Sequence, residues 1–217
     1  MGLLISFLIC SILNFQIITE FNTHDKLVAL TFDACETKTP SYFDKGILNY
    51  VIDEKLPVTF FLSGKFIERN LEEIEKISKY DFIEIENHSY LHADFTKLSG
   101  IEIKEDVLKN EQLITNATGR KPLYFRFPYG YYNQDCVHII EKLGYKIVHW
   151  TFPSGDPDKG ISREMLIENT LNKIKPGAIL IFHINGRGWK TKEALPVIVN
   201  RLKQSRYKFV LLREILK

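Results

Sequence analysis

The sequence predicts an α/β protein built as a deformed or incomplete (β/α) barrel with about seven strands. Two observations support this fold class. Short apolar runs, rich in β-branched and aromatic residues, alternate with longer segments of helical spacing, and chemically active side chains come directly after several of the runs. Strand–helix–strand units cross over with one preferred hand, so they can wind into a closed or partly closed barrel. An open doubly wound sheet is the structural alternative.

Seven apolar runs are short enough for strands. They span residues 27–32, 58–62, 82–86, 123–127, 145–150, 178–182 and 207–212. The segments between them predict helices over residues 40–54, 64–79, 99–118, 133–142, 162–173 and 192–204. Ser99 and Ser162 suit N-cap positions, and Gly119 and Gly144 suit helix ends. Strand and helix therefore alternate along the chain.

Composition predicts one domain without a polyanionic partner. The chain has 217 residues, 45% hydrophobic and 26% charged, which suffices for a single core. Its formal net charge of +2 comes from 29 basic and 27 acidic residues without a long basic run. We therefore expect no nucleic-acid partner and no anionic membrane partner.

The N-terminus departs from the strand–helix alternation. Residues 3–15 are nearly all apolar, a length closer to a signal-peptide core than to the roughly 20 residues of a membrane span. No Lys or Arg precedes them, so a buried helix or an uncleaved anchor stays open. We expect residues 1–25 to form a signal peptide or N-terminal anchor and residues 26–217 the domain. The protein would then be exported to the periplasm or cell surface, without stable membrane insertion after leader removal.

Three cysteines predict no disulfide framework. They are Cys10, Cys35 and Cys136. If a leader is removed, Cys35 and Cys136 are left as the one pair that could bond.

Two histidines follow the third predicted strand. His88 and His92 are four residues apart, and on the first turn of a helix they would share one face and could hold a metal ion. Taken alone, the pair is equally well explained as solvated or capping side chains. The neighbouring candidates strengthen the metal interpretation.

Three further candidates come at or just after strand ends. Arg126 cannot lie buried in a barrel mouth without an anionic partner, and Asp33 is the obvious one. His183 can give or take a proton near neutral pH. Each has an ordinary structural explanation by itself, but together they predict one pocket, because a barrel gathers its strand ends at one rim.

These residues resemble the five motifs of the polysaccharide deacetylase family, also called the NodB-homology family. The resemblance covers the chain from about Lys26 to the C-terminus. The matching segments are Thr31-Phe32-Asp33, His88 with His92, Arg126 with Pro128 and Tyr129, Asp156 in place of an Asp-Trp pair, and Ile181-Phe182-His183.

The resemblance implies removal of N-acetyl groups from amino sugars of a polysaccharide such as peptidoglycan or a chitin-like or capsular glycan. It makes His88 and His92 metal ligands, together with Asp33, for a divalent ion that is most readily zinc. Asp33 would also be the general base.

The remaining motif residues receive roles from the same resemblance. Arg126 would hold Asp33, and the main-chain N–H of Tyr129 would bind the oxyanion. His183, kept protonated by a carboxylate such as Asp156, would donate a proton to the departing amine.

Ala34 departs from the family pattern, which has a second, metal-binding Asp there. Three substitutes are conceivable: Asp33 itself enters the coordination sphere, Glu36 or the Cys35 thiolate reaches in, or a water fills the gap. Alternative functions are hydrolysis of a small amide or formamide, and non-catalytic glycan binding. Arg187 and Trp189, which follow His183 in a glycine-containing segment, either shape the pocket or form a structural turn.

Overall fold

The computed structural model describes residues 16–216. The strands are β1 (Ile17–Ile18), β2 (Leu27–Ala34), β3 (Val58–Leu62), β4 (Ile83–Asn87), β5 (Tyr124–Phe125), β6 (Lys146–Val148), β7 (Ala178–His183) and β8 (Lys208–Val210). The α-helices are α1 (Lys45–Asp53), α2 (Gly64–Arg69), α3 (Leu71–Ile77), α4 (Gly100–Thr118), α5 (Gln134–Lys142), α6 (Arg163–Leu171), α7 (Thr191–Gln204) and α8 (Leu212–Ile215). Short 3₁₀ helices span Phe95–Lys97 and Pro128–Gly130.

The strands form one sheet in the order β1-β6-β5-β4-β3-β2-β7, and β8 pairs with β2. Every pairing between these strands is parallel. Among residues 16–216 no strand pairing joins the two ends of this order; isolated bridges link Glu20 with Ala178 and Phe152 with Leu180. The predicted α/β class and incomplete barrel are therefore confirmed, with an open barrel of eight strands.

Strand β2 forms the centre of the fold. Seven of its eight residues are buried, as expected for a parallel strand covered on both faces. Phe32 and Ala34 pack in the main hydrophobic cluster with helix residues such as Ile47. Thr31 and Asp33 point to the other side, where both contact Arg126. Alternation along one strand thus separates the core face from the face that carries polar chemistry.

Local capping sets the helix ends much as the sequence predicts. Ser99 forms a capping box with Glu102 at the start of α4, and Gly119 ends that helix with φ 70°. Ser162 caps α6 by accepting a hydrogen bond from the Met165 N–H. The predicted helix over 64–79 is instead two helices, because Asn70 leaves the helical region between them with φ −118° and ψ 25°.

The C-terminal part of the predicted leader, residues 16–25, belongs to the fold. Strand β1 was not predicted; it pairs with β6, and the Phe21 N–H donates to the Gly177 carbonyl. Residues 1–15 lie outside the described residues, so a leader there stays a prediction. Within residues 16–216 no helix combines the length and apolar character needed to cross a membrane. Cys35 and Cys136 are both free and buried thiols, so they do not form the one pair that the sequence left open.

Candidate active site

A pocket of about 320 Å³ opens at the carboxyl ends of β2, β4 and β7. Its walls include most of the residues predicted for the site: Asp33, His88, His92, Tyr129, Asp156 and His183. Arg126 is fully buried behind this wall and reaches the pocket through Asp33. The structure therefore brings together the seven residues predicted as catalytic or metal-binding.

Asp33 and Arg126 form a buried ion pair at the base of the pocket. Arg126 Nη1 lies 2.6 Å from Asp33 Oδ1 and 2.9 Å from Thr31 Oγ1. Burial raises the pKa of Asp33, but the guanidinium of Arg126, helped by His88 and His183, outweighs it and leaves the pKa below its ordinary value. Asp33 is therefore an ionised carboxylate at neutral pH.

The Arg126 guanidinium is fixed in place by several partners. Nε donates to the Val148 carbonyl and Nη2 to the His149 carbonyl, and the group lies 3.9 Å from the centre of the Phe61 ring. A buried cation needs this degree of pairing and hydrogen bonding. The guanidinium thus fixes the orientation of the Asp33 carboxylate.

His183 is held by Asp156. The ring Nδ1 of His183 lies 2.9 Å from Asp156 Oδ1, and its backbone N–H donates to Asp156 Oδ2 over 2.7 Å. Thr191 also donates to Asp156 Oδ2. Burial lowers the pKa of His183, but Asp156 and Asp33 outweigh it and raise the pKa above the ordinary value. His183 is therefore stabilised as an imidazolium.

The segment from His88 to His92 is a loop, so the prediction that both lie on the first turn of a helix is wrong. Ser89 and His92 adopt positive φ values of 66° and 54°, which no α-helix contains. The carboxylate of Asp106 accepts hydrogen bonds from the N–H groups of Tyr90 and Leu91. The ring centroids of His88 and His92 nevertheless lie 4.9 Å apart, so the loop still places the two imidazoles together.

The tautomer of His88 follows from its hydrogen bond. Nδ1 lies 2.8 Å from the Arg126 carbonyl, which can only accept, so Nδ1 carries the proton in the neutral ring. Burial lowers the pKa of His88, so this neutral form dominates. The lone pair of Nε2 then faces Asp33 Oδ2 at 3.6 Å. Two facing electron-rich atoms at this separation suit a shared cation, since two ligands of a tetrahedral ion lie about 3.4 Å apart.

His92 is the nearest further donor. It is buried, its Nδ1 has no hydrogen-bond partner, and burial, followed by His88, lowers its pKa to about 3. A neutral imidazole is the form that binds metal. In the part of the chain that the structure describes, no three His, Cys, Asp or Glu side chains form a complete ligand group. The facing pair Asp33 and His88 offers two donors to a divalent ion, and the ring of His92 lies beside His88 without completing a three-ligand group among the described residues.

The candidate metal ligands that could replace the Asp missing at position 34 differ in whether they can reach the pocket. The side chain of Ala34 is fully buried in the hydrophobic cluster. Glu36 is bound to Arg69 and to the Ser41 N–H, so it is engaged elsewhere. Cys35 does line the pocket, but burial raises its pKa to about 11 and keeps it a thiol. Asp33 remains the best-placed additional ligand.

The mouth of the pocket is aromatic and partly apolar. Tyr129 and Tyr131 are exposed there, and Trp150 forms a further wall. The Tyr129 backbone is left-handed, with φ 59°, and its ring contacts His92 with centroids 4.5 Å apart. Trp189 does not line the pocket, whereas Arg187 does. Such a rim suits the apolar faces of sugar rings.

Sequence reasoning missed Asp106 and Trp150 as parts of the site. Asp106 lies inside helix α4, far along the chain from the histidine loop that it holds. Trp150 follows β6, and only the fold brings it to the pocket. A helix residue that acts on a distant loop leaves no local pattern, so no sequence feature could have identified Asp106.

Comparison with known proteins agrees with this geometry. A peptidoglycan-N-acetylglucosamine deacetylase of Bacillus cereus is 28% identical over 202 residues, which cover 91% of this chain and 92% of the relative. The peptidoglycan-N-acetylmuramic acid deacetylase PdaA of Bacillus subtilis is 27% identical over 195 residues, 87% of this chain and 70% of its own.

A solved structure is equally similar. A carbohydrate esterase family 4 pseudoenzyme from Bacillus anthracis superposes with a TM-score of 0.82 at 28% identity, over 94% of this chain and 70% of that one. The relatives named above thus include deacetylases and one pseudoenzyme. The family model described as polysaccharide deacetylase matches residues 21–148, more than half of the protein. The chain therefore belongs to the polysaccharide deacetylase family.

Proposed function

We propose that this protein removes N-acetyl groups from amino sugars of a polysaccharide, with peptidoglycan as the first candidate. The observation that carries the proposal is that Asp33, bound to Arg126, and His183, bound to Asp156, line one pocket. The pKa of Asp33 is lowered and that of His183 is raised, which favours a carboxylate and an imidazolium. Amide hydrolysis needs a base for the attacking water and an acid for the departing amine. The names of the deacetylase relatives support this reaction, and their peptidoglycan substrate supports action outside the cytoplasm.

In this mechanism Asp33 accepts the proton of the attacking water. Arg126 keeps the carboxylate ionised and holds Oδ1, which leaves Oδ2 directed toward His88. His183 donates its proton to the amine nitrogen as the carbon–nitrogen bond breaks, and Asp156 stabilises its charge. The main-chain N–H of Tyr129 is the proposed donor to the oxyanion, a type of contact whose loss typically costs about 3 kcal/mol of barrier.

A divalent ion, with zinc as first candidate, would be held by Asp33, His88 and His92. When bound it would polarise the acetyl carbonyl and acidify water, which are the standard contributions of a hydrolytic metal. The facing lone pairs of His88 and Asp33 support this assignment.

Non-catalytic glycan binding is the second candidate. Ala34 supplies no ligand, and the similar fold of a pseudoenzyme shows that turnover is not universal in this architecture. Acetate release separates the two functions. The purified protein, loaded in turn with zinc, cobalt and manganese, is incubated with peptidoglycan strands, chitin oligosaccharides and a small formamide, and acetate or formate is measured.

The proposed deacetylase should release acetate from a glycan, and Asp33→Asn should abolish the release while glycan binding survives. Asp53→Asn, on the exposed end of α1, serves as the matched control. Binding without release under every metal would establish the second candidate, and formate release alone would establish the small-amide alternative.

A further inference from the structure

One charged residue of the pocket, Arg187, has no role in the proposed chemistry. Of the charged residues that line it, Asp33 is paired with Arg126, and Asp156 is paired with His183. Arg187 lines the same pocket. Within residues 16–216 no carboxylate lies within ion-pair distance of its guanidinium.

The backbone around Arg187 is fixed to the catalytic residues. The Trp189 N–H donates to the Asp156 carbonyl over 2.8 Å. A Cβ at Gly188 would lie 2.4 Å from the His183 carbonyl oxygen, so only glycine allows the loop to pass this close. Arg187 is therefore carried by a segment that packs directly on His183 and Asp156.

The guanidinium itself is only lightly held. Its Nη2 donates one hydrogen bond, 3.0 Å long, to the Thr37 hydroxyl. A guanidinium has five N–H donors in a planar fork that matches a carboxylate. No other hydrogen bond from this guanidinium is formed to the described residues, so its remaining donors can bind a ligand.

Arg187 is also close enough to act on the proposed centre. It lines the same pocket as Asp33, His92 and His183. A positive charge that serves no ion pair, near an acetamido site, favours a negative group on the substrate.

We propose that the pocket takes an acidic N-acetylated glycan, and that Arg187 binds a carboxylate carried by the acetylated sugar or by the adjacent sugar. This inference rests on the proposed function, because it assigns the substrate class of the same site. Two sources offer the carboxylate: a lactyl ether, as in muramic acid, or a uronic acid linked to N-acetylglucosamine.

The test compares four glycans in the metal-loaded protein. They are strands of N-acetylglucosamine and N-acetylmuramic acid with free lactyl carboxylates, the same strands with these groups amidated, a polymer of N-acetylglucosamine and glucuronic acid, and neutral chitin oligosaccharides. Wild type is compared with Arg187→Gln and Arg187→Lys. Arg201→Gln, on the exposed face of α7, is the control.

We expect the wild type to prefer an acidic glycan over its neutral counterpart by about tenfold in kcat/KM, the size of one charged hydrogen-bonded contact. Arg187→Gln should lose about tenfold more on the acidic glycan than on the neutral one, mainly through KM, and Arg187→Lys should recover part of it. The preference should shrink as salt rises. Whichever acidic glycan shows the effect identifies the source of the carboxylate.

The proposal is overturned if wild type shows equal kcat/KM on free and amidated strands and on acidic and neutral polymers. It is also overturned if Arg187→Gln lowers kcat/KM by the same factor on all four glycans. If no glycan releases acetate, the proposed function fails, but calorimetric binding of the same glycans still decides this inference. Tighter binding of an acidic glycan that depends on Arg187 supports it, and equal or absent binding overturns it.

Discussion

Asp33 and His183 are register partners in neighbouring parallel strands, β2 and β7. Strands in a sheet lie about 4.8 Å apart, so this register places the two backbones side by side at the same strand ends. Each side chain then receives its own partner from elsewhere in the chain: Arg126 for Asp33 and Asp156 for His183. The proposed base and the proposed acid therefore face one pocket, and each also stabilises the charge of the other.

Replacement of Asp156 should change the pH dependence of acetate release. The raised pKa of His183 depends on Asp156, so Asp156→Asn should move the basic limb of the pH–rate profile to lower pH and reduce kcat by roughly 100-fold. Ser154→Ala removes another partner of Asp156 without touching His183 and is the control. A basic limb that does not move would contradict the role of His183 as acid.

The same pair makes a prediction for stability. Because the folded pKa of His183 is raised, its contribution to the free energy of unfolding is complete below the ordinary histidine pKa and is lost as pH rises through the folded value. The stability difference between wild type and Asp156→Asn, measured by urea unfolding, should therefore shrink from pH 5 to high pH.

Removal of the charge of Asp33 should destabilise the fold. Asp33→Asn leaves the fully buried Arg126 without its anionic partner, which should cost about 3 kcal/mol in urea unfolding at pH 7. The folded pKa of Asp33 is lowered, so this contribution is present above the ordinary Asp pKa and lost as pH falls through the folded value. If Asp33→Asn lowers the free energy of unfolding no more than Asp53→Asn does, the Asp33–Arg126 ion pair contributes nothing to stability.

A carboxylate at Ala34 should strengthen metal binding. Ala34→Asp places a charge in a buried, apolar position, so the melting temperature in chelator should fall below that of wild type. Zinc at 100 times its Kd should then stabilise the variant by about 2.7 kcal/mol. Ala34→Asn is the isosteric control, and equal zinc affinity of the two variants by calorimetry would show that a carboxylate at position 34 does not bind the ion.

Asp106 should support the histidine loop. Asp106→Ala leaves the N–H groups of Tyr90 and Leu91 without their acceptor, and zinc affinity should fall by roughly 10–100-fold. Asp106→Asn keeps one acceptor oxygen and should lose less. Unchanged zinc affinity in Asp106→Ala would mean that the loop holds its shape without this carboxylate.

Sequence patterns predicted the bounds of β3 and β7 well and those of β5 and β6 less well. Residues 58–62 form β3 as predicted, because that run is buried throughout. The predicted runs 123–127 and 145–150 shorten to β5 and β6. Beyond the ends of these strands Arg126 binds Asp33 and Trp150 lines the pocket. Apolar character alone does not show where a strand ends.

The candidate reacting groups could be predicted from the sequence alone. Asp33, Arg126 and His183 stand at or beside strand ends, and parallel topology brings such ends to one edge. The chemistry of each group, however, depends on contacts across the fold. Only the tertiary structure placed His88 Nδ1 on the Arg126 carbonyl and Asp106 on the histidine loop. A pKa or a tautomer is a property of surroundings, and surroundings assembled from distant segments leave no local pattern in the sequence.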